Sequence, residues 1–118
     1  MASSVVSDGV ESVRDALNAL TKDFEGLVVT TGGTGFAPRD QTPEGTLLVA
    51  ERIAPGISEA MRAISPLGRL SRGVAVIRGR SIIVNTPGSP KGCVEQLEAV
   101  IDVLPHALAL LAETPTAH

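Results

Sequence analysis

The sequence is poor in the side chains on which many binding sites are built. It has no Trp, no Tyr and two Phe, so it lacks the aromatic platform on which single-stranded nucleic acid stacks. Its single cysteine, Cys93, excludes an internal disulfide and a zinc site made of cysteines. Both histidines, His106 and His118, lie near the carboxyl terminus, which argues against a histidine-based metal site and against a Ser-His-Asp triad.

Charge and hydropathy exclude further classes of protein. Ten basic and thirteen acidic residues give a net charge of −3, so no basic field is present to attract nucleic acid. No apolar run approaches the ~18 residues of a membrane-spanning helix, and the first residues have neither the basic nor the apolar region of a signal peptide. A chain of 118 residues, 43% hydrophobic, is therefore expected to be one cytoplasmic globular domain without nucleic-acid or membrane partners.

Hydrophobic periodicity predicts alternating strands and helices. Short apolar runs predict strands at 5–7, 27–30, 74–77 and 81–84, the last two forming a hairpin. Helical spacing predicts helices over 10–20, 42–53, 57–64 and 105–112, and one more whose apolar face is Cys93, Leu97, Val100, Ile101 and Leu104. The alternation predicts the α/β class, with helices packed around a mostly parallel sheet.

Three helix starts carry recognisable signals. Asp8 followed by Glu11 resembles a capping box, with Asp in the place of Ser or Thr. Thr42-Pro43 and Ser89-Pro90 each combine a capping residue with a proline suited to the first helical turn.

Two polar loops each follow a predicted strand and precede one of these helices. They span Thr30–Thr42 and Asn85–Ser89, and in an α/β sheet both should lie at the same edge, where ligands bind. Gly32, Gly33 and Gly35 let the backbone approach a ligand, and backbone amides at a helix start form an anion site. A tight turn that simply needs glycine is the alternative. We favour phosphate binding because the glycines are followed by Arg39, Asp40 and a capped helix.

The known phosphate motifs do not match this loop. A P-loop requires G-x-x-x-x-G-K-S/T, and no lysine follows the glycines. The dinucleotide pattern G-x-G-x-x-G fails because Pro38 stands where its last glycine should be.

Several single residues keep two interpretations. Asp40 is either a solvated turn residue or a Mg²⁺ ligand beside bound phosphate, and Asp8 is either a helix cap or a second functional carboxylate. Lys91 is either a surface lysine or a charge aimed at a phosphate. Arg69 and Arg72 could reach an anion or belong to a solvated loop. Cys93 is expected to lie in the core.

At this point the pattern resembles a known family. The run TTGGTG, then Arg39-Asp40 and Thr42-Pro43-Glu44, is similar to the signature of the molybdopterin adenylyltransferases, which include bacterial Mog and MoaB-type proteins and the gephyrin G domain. Further similar segments are Val5–Asp8, Pro55-Gly56, Met61-Arg62, Leu70–Arg72 and Asn85–Pro90. The resemblance extends from Val5 to about Leu111.

The resemblance implies a three-layer α/β/α sandwich that binds molybdopterin and Mg²⁺-ATP. It also implies transfer of AMP to the terminal phosphate of molybdopterin, with release of pyrophosphate. The family's two essential aspartates correspond to Asp8 and Asp40, which we predict to be catalytic and metal-binding. The predicted substrate- and phosphate-binding residues are Thr31, Gly32, Gly33, Thr34, Gly35, Arg39, Thr42, Pro87, Gly88, Ser89 and Lys91.

The resemblance also sets expectations about the whole chain. Residues 1–118 form a single molybdopterin-binding domain that is N-terminally short, because family domains begin with an additional strand and helix. Family members form homotrimers or hexamers, and the molybdenum-insertion protein is a possible partner. A non-catalytic molybdopterin-binding or assembly protein of the MoaB type is the alternative function.

Overall fold

The computed structural model describes residues 3–113 and contains five α-helices and four strands in this range. The helices are α1 (Val10–Thr21), α2 (Thr42–Val49), α3 (Pro55–Arg62), α4 (Pro90–Glu98) and α5 (Leu104–Ala112). The strands are β1 (Gly26–Thr31), β2 (Arg52–Ile53), β3 (Ala75–Arg78) and β4 (Ser81–Thr86). A short 3-10 helix, Pro66–Leu70, lies between α3 and β3.

The four strands form one sheet in the order β1-β4-β3-β2. β1 and β4 are parallel and in register from Gly26 opposite Ser81 to Thr31 opposite Thr86. β3 and β4 form the predicted antiparallel hairpin, whose turn contains Gly79 at φ +57°. The α/β class and the hairpin are confirmed. Among the described strands, only β1 and β4 pair in parallel. β3 pairs antiparallel with both β4 and β2.

Apolar side chains fill both faces of the sheet, as a three-layer sandwich requires. On one face, α1 and α2 pack on the sheet through Val13, Leu17, Val28, Val49, Val76 and Ile83. On the other face, α3, α4 and α5 pack through Met61, Ala75, Ile82, Val84, Val100 and Leu104. The sheet is therefore covered on both sides, and its strand ends are left to form the edge where loops gather.

The amino-terminal predictions are wrong in two details. Residues 5–7 form no strand, and Val5 is fully exposed, since no described strand lies beside them to pair with. Asp8 does not cap α1. The residue before the helix is Gly9, at φ +128°, and no side chain supplies a capping hydrogen bond there.

The predicted helix over 42–53 ends early, at Val49, and Ile53 belongs to β2. Backbone hydrogen bonds with β3 hold this segment as a strand instead of a helix. Glu51 N–H donates to Ile77 O at 2.9 Å, and Ala54 N–H donates to Ala75 O at 2.8 Å. A helical spacing of apolar residues cannot reveal hydrogen bonds made more than twenty residues further along the chain.

The long apolar face predicted from Cys93 to Leu104 is divided between two helices. α4 ends at Glu98 and α5 begins at Leu104. Pro105 explains the break, because a proline ring clashes with the carbonyl four residues earlier and lacks the N–H of a continuing helix. Val100 and Leu104 are buried, whereas Ile101 is 55% exposed. Cys93 is only half-buried.

Candidate functional site

The carboxyl ends of β1 and β4 lie side by side, so the loops that follow them leave the same edge of the sheet, as predicted. Thr31 is opposite Thr86 at the end of the parallel register. Asn85 and Thr86, expected in the second loop, instead complete β4. The buried Asn85 side chain links neighbouring segments at this edge. Its Nδ2 donates to Thr30 Oγ1 at 2.9 Å, and its Oδ1 accepts from Val74 N–H at 3.0 Å.

The two loops approach each other backbone to backbone. Gly32 N–H donates to Thr86 O at 2.9 Å. A Cβ atom at Gly88 would lie 3.5 Å from Gly32 Cα, and one at Gly32 would lie 3.9 Å from Gly88 Cα. Gly32 also adopts φ +86°, which L side chains rarely tolerate. Glycine at both positions therefore allows the two backbones to approach this closely.

The glycine loop folds back onto the start of α2. Thr42 N–H donates to Gly33 O at 3.1 Å, and a Cβ at Gly33 would collide with Thr42 Oγ1. Thr42 is the first helical residue rather than the cap. Gln41 holds the capping position, and no side chain makes a capping hydrogen bond there. Few backbone donors are left free at the amino end of α2, because Thr42 N–H and Gly45 N–H donate to Gly33 O and Gln41 O and Pro43 has no N–H.

The Asp40 carboxylate is positioned by contacts with other residues of the same loop. Its Oδ2 accepts from Ala37 N–H at 3.0 Å and would lie 2.8 Å from a Cβ atom at Gly35. Gly35 therefore makes room for the carboxylate. Asp40 lines the cleft described below, so its negative charge faces the site rather than open solvent alone.

The second loop ends in the predicted helix cap. Ser89 Oγ accepts from Gly92 N–H at 3.0 Å and starts α4. Lys91 lies in the first turn of that helix, with 89% of its side chain exposed and its Nζ 3.9 Å from Glu95 Oε1. At that exposure the pair is weak, so the ammonium remains able to swing toward an anion in the cleft.

Replacing Ser89 by Ala should lower the free energy of unfolding by about 1 kcal/mol, because Gly92 N–H loses its side-chain acceptor. Ser89→Asp keeps an acceptor at the same position and should stay close to the wild type. Urea unfolding followed by far-ultraviolet circular dichroism measures both variants. Equal losses for Ala and Asp would show that the cap does not stabilise α4.

The loops and the 3-10 segment enclose a cleft of about 1010 Å³. Predicted site residues that line it are Gly32, Gly33, Thr34, Gly35, Asp40, Pro87, Gly88, Ser89 and Lys91. Thr31, Arg39 and Thr42 belong to the same loop and its flanks but do not line the cleft. Asp8 is exposed and is also outside the lining.

An apolar wall was missed by the sequence reasoning. It is formed by Ile64, Ser65, Pro66, Leu67, Gly68, Leu70 and Ser71. Leu67 is 76% exposed and Leu70 is 56% exposed, so the wall presents apolar side chains to the cleft and to solvent. The sequence signal was Ile64, Leu67 and Leu70 at three-residue spacing, which resembles an ordinary helix face.

The α4 side of the cleft was also missed beyond Lys91. Gly92, Glu95 and Gln96 line it. Gln96 is 5% exposed, an unusual burial for a polar side chain without a charged partner. In the sequence, the indication of this burial was a polar residue at a position of α4 that faces the protein interior.

Arg69 and Arg72 do not line the cleft among the described residues. Arg72 instead pairs with Glu44, donating to its two carboxylate oxygens at 2.7 and 3.3 Å. These hydrogen bonds hold the pKa of the Glu44 carboxyl below its ordinary value and raise the pKa of the guanidinium. The ion pair therefore persists above the lowered pKa of Glu44 and is lost as the pH falls through it.

Within residues 3–113, no three His, Cys, Asp or Glu side chains are grouped closely enough to enclose a metal ion by themselves. No helix in the same range is both long and apolar enough to cross a bilayer. A single carboxylate beside a phosphate site is nonetheless compatible with Mg²⁺, which commonly takes one or two carboxylates together with substrate phosphates.

Comparison with known proteins identifies the family. The family described as a probable molybdopterin binding domain matches residues 1–106, which is most of the chain. The chain belongs to this molybdopterin-binding family. The resemblance seen in TTGGTG, Arg39-Asp40 and Thr42-Pro43 is thereby confirmed.

Relatives of the chain include proteins named as enzymes. The chain is 42% identical over 112 residues to the molybdopterin adenylyltransferase of Helicobacter pylori strain J99, covering 91% of this chain and 64% of that protein. It is 55% identical over 80 residues to the Haemophilus influenzae molybdopterin adenylyltransferase, covering 64% of this chain and 41% of that one. The chain thus spans less than two thirds of the length of these relatives.

Solved structures of similar proteins share the fold. The molybdopterin biosynthesis Mog protein from Mycobacterium ulcerans superposes with a TM-score of 0.86 at 41% identity, over 92% of this chain and 73% of that one. The molybdopterin biosynthesis enzyme MoaB from Thermus thermophilus gives 0.83 at 47% identity, over 92% and 71%. The chain is similar to both Mog and MoaB proteins, which agrees with a role in molybdenum cofactor biosynthesis.

Proposed function

We propose that this protein is a molybdopterin adenylyltransferase that transfers AMP from ATP to the terminal phosphate of molybdopterin. One observation carries the proposal. The parallel ends of β1 and β4 bring a glycine loop, the Asp40 carboxylate and the Ser89-capped start of α4 to a single cleft. Similarity to two adenylyltransferases of this family supports it.

The chemistry requires a site of this kind. An oxygen of the molybdopterin phosphate attacks the α-phosphorus of ATP and forms a new P–O bond. The bond from that phosphorus to the bridging oxygen of the β-phosphate breaks, and pyrophosphate leaves with the electron pair. Two anionic groups must therefore meet in line, so catalysis depends on alignment and charge neutralisation more than on covalent help from the protein.

Each part of the cleft has a proposed task. The amides of Gly33, Thr34 and Gly35, and that of Lys91 at the start of α4, would bind phosphate oxygens, whereas Gly32 N–H is already bonded to Thr86 O. Lys91 adds a mobile positive charge. Asp40 would hold Mg²⁺, whose positive charge would reduce the repulsion between the phosphate groups. The apolar wall would give a ring system a surface to pack on, through Ile64, Leu67 and Leu70.

The remaining predicted site residues keep their proposed roles. Thr31, Arg39 and Thr42 would support phosphate binding from the flanks of the loop. Asp8 is proposed as a second carboxylate for the metal. Its exposed position outside the cleft lining makes it the weaker candidate of the two aspartates.

The wider setting is also part of the proposal. We propose that the protein acts in the cytoplasm as a homotrimer or hexamer and passes adenylylated molybdopterin to a molybdenum-insertion protein. Sedimentation of the purified chain tests the oligomer. A monomer at all concentrations would contradict it.

The activity is tested by incubating the purified chain with molybdopterin, Mg²⁺ and ATP labelled on the α-phosphate. Label should appear on molybdopterin, with one pyrophosphate released per transfer, and a metal chelator should stop the reaction. The same chain with ATP alone is the control for hydrolysis. Release of labelled AMP without labelled molybdopterin would contradict the proposal.

A non-catalytic molybdopterin-binding protein of the MoaB type is the competing outcome. Because the chain has neither Trp nor Tyr, the fluorescence of the pterin can be followed with little protein background. Saturable binding of molybdopterin without any label transfer would identify a binder rather than an enzyme.

A further inference from the structure

Arg72 is placed against the outer side of the glycine loop and makes contacts with several parts of it. Its Nε donates to Gly35 O at 2.8 Å, and one terminal nitrogen donates to Asp40 O. Its own backbone N–H donates to Thr34 O at 2.8 Å. The two guanidinium contacts join the beginning and the end of the segment 35–40, which carries the cleft-facing carboxylate.

The same guanidinium links the segment 35–40 to α2. It donates to both carboxylate oxygens of Glu44, which lies in the first turn of the helix. One side chain thereby connects the loop to a rigid element. Arginine suits this position because its planar fork presents five donors in a fixed arrangement, whereas a lysine ammonium is a single point charge on a flexible stem.

We propose that Arg72 is a positioning residue that holds the loop so that the Asp40 carboxylate faces the cleft. This inference rests on the proposed adenylyl transfer for its effect on rate. Its effect on loop geometry is independent of that proposal. Arg72 does not line the cleft and its donors are engaged with the loop and Glu44, so it acts through Asp40 rather than on the substrate.

The segment 35–40 needs such a restraint from outside. Its internal hydrogen bonds are short-range, from Asp40 N–H to Ala37 O at 2.9 Å and from Ala37 N–H to Asp40 Oδ2. They shape the turn but do not fix where the turn lies relative to the cleft. Arg72, which follows the apolar wall in the chain, supplies that connection across more than thirty residues of sequence.

The first experiment measures loop order directly by amide hydrogen exchange, read residue by residue by NMR. In Arg72→Gln, the amides of Ala37, Asp40 and Thr42 should exchange about 10-fold or more faster than in the wild type, because opening of the loop becomes easier. Arg80→Gln is the matched control. Arg80 forms a similar surface pair with Glu25, at 2.8 Å, in the hairpin turn at the opposite end of β4.

The second experiment measures AMP transfer in the same variants. Arg72→Gln should lower kcat about 10- to 100-fold with little change in the KM for molybdopterin or ATP, since small displacements of a catalytic group have effects of this size. Arg72→Lys should recover only part of the loss, and Arg80→Gln should match the wild type. Glu44→Gln keeps the size of the partner without its charge and should fall in between.

The outcomes separate the two proposals. Unchanged exchange in Arg72→Gln would overturn the positioning role, whatever the rates. Raised KM with unchanged kcat would identify Arg72 as a substrate ligand and would overturn it as well. A third outcome is faster exchange of the loop amides in Arg72→Gln while the wild-type protein transfers no label. That result would support the positioning role of Arg72 and refute only the proposed reaction. If Arg72→Gln does not fold, Glu44→Gln and Arg72→Lys give the same readouts.

Discussion

Asp40→Asn is expected to lower the rate of AMP transfer about 100- to 1,000-fold, the scale of removing one well-placed electrostatic group. The substitution removes the negative charge proposed to hold Mg²⁺. It keeps a carbonyl oxygen that can still accept from Ala37 N–H, the bond that now measures 3.0 Å. The loop should therefore stay folded while catalysis falls. Label transfer at saturating molybdopterin and ATP, with the unfolding midpoint as a second measurement, tests this.

Two further variants make the Asp40 result specific. Asp102→Asn changes the same charge in an exposed turn between α4 and α5, away from the cleft, and should transfer AMP at the wild-type rate. Asp8→Asn should cause a smaller loss than Asp40→Asn, because Asp8 does not line the cleft. Wild-type activity in Asp40→Asn would refute the metal role, and an equal loss in Asp8→Asn would make both aspartates essential.

Gly45→Ala should lower the free energy of unfolding, because overpacking usually costs about 1–3 kcal/mol. Gly45 is buried where α2 packs on α1. A Cβ there would lie 2.6 Å from Val13 Cβ and 2.8 Å from Val10 O. The Val10 oxygen belongs to the backbone and cannot rotate away, so the helices must separate. The gain of roughly 1 kcal/mol that alanine normally brings to a helix offsets part of this cost, so the expected net loss is up to about 2 kcal/mol.

The matched control is Gly56→Ala in the first turn of α3. Apart from its chain neighbours and the backbone of its own helix, no atom lies within 4 Å of a Cβ placed there, so alanine meets open space. This variant should be neutral or more stable by up to about 1 kcal/mol. Urea unfolding of both proteins decides the matter. Equal stabilities for the two variants would show that the α1–α2 interface yields easily at Gly45.

Much of the site could be predicted because its signals are local. Glycines after a strand, a Ser-Pro helix start and a carboxylate in a loop are all readable within about fifteen residues. The rule that parallel strands place their following loops at one edge then brought the two loops together. Parallel register between Thr31 and Thr86 confirms that step.

Other parts of the site could not be predicted, because they depend on contacts between distant segments. The sequence left open whether Arg72 reaches an anion or belongs to a solvated loop, and it did not indicate the contacts with the glycine loop and α2 that the structure shows. Its partners Gly35, Asp40 and Glu44 lie 28 to 37 positions away in the sequence. Ile53 was assigned to a helix for the same reason, since its strand exists only through pairing with β3.

The sequence by itself determined the α/β class, the family, the hairpin and the two loops that bear the proposed phosphate site. Each of these follows from hydrophobic periodicity, glycine and proline positions, or a contiguous motif. The tertiary structure alone decided the apolar wall, the arginine that holds the loop, and which aspartate faces the cleft. The physical reason is that a side chain's direction and partners depend on how helices and strands pack, and packing brings together residues that local patterns treat as unrelated.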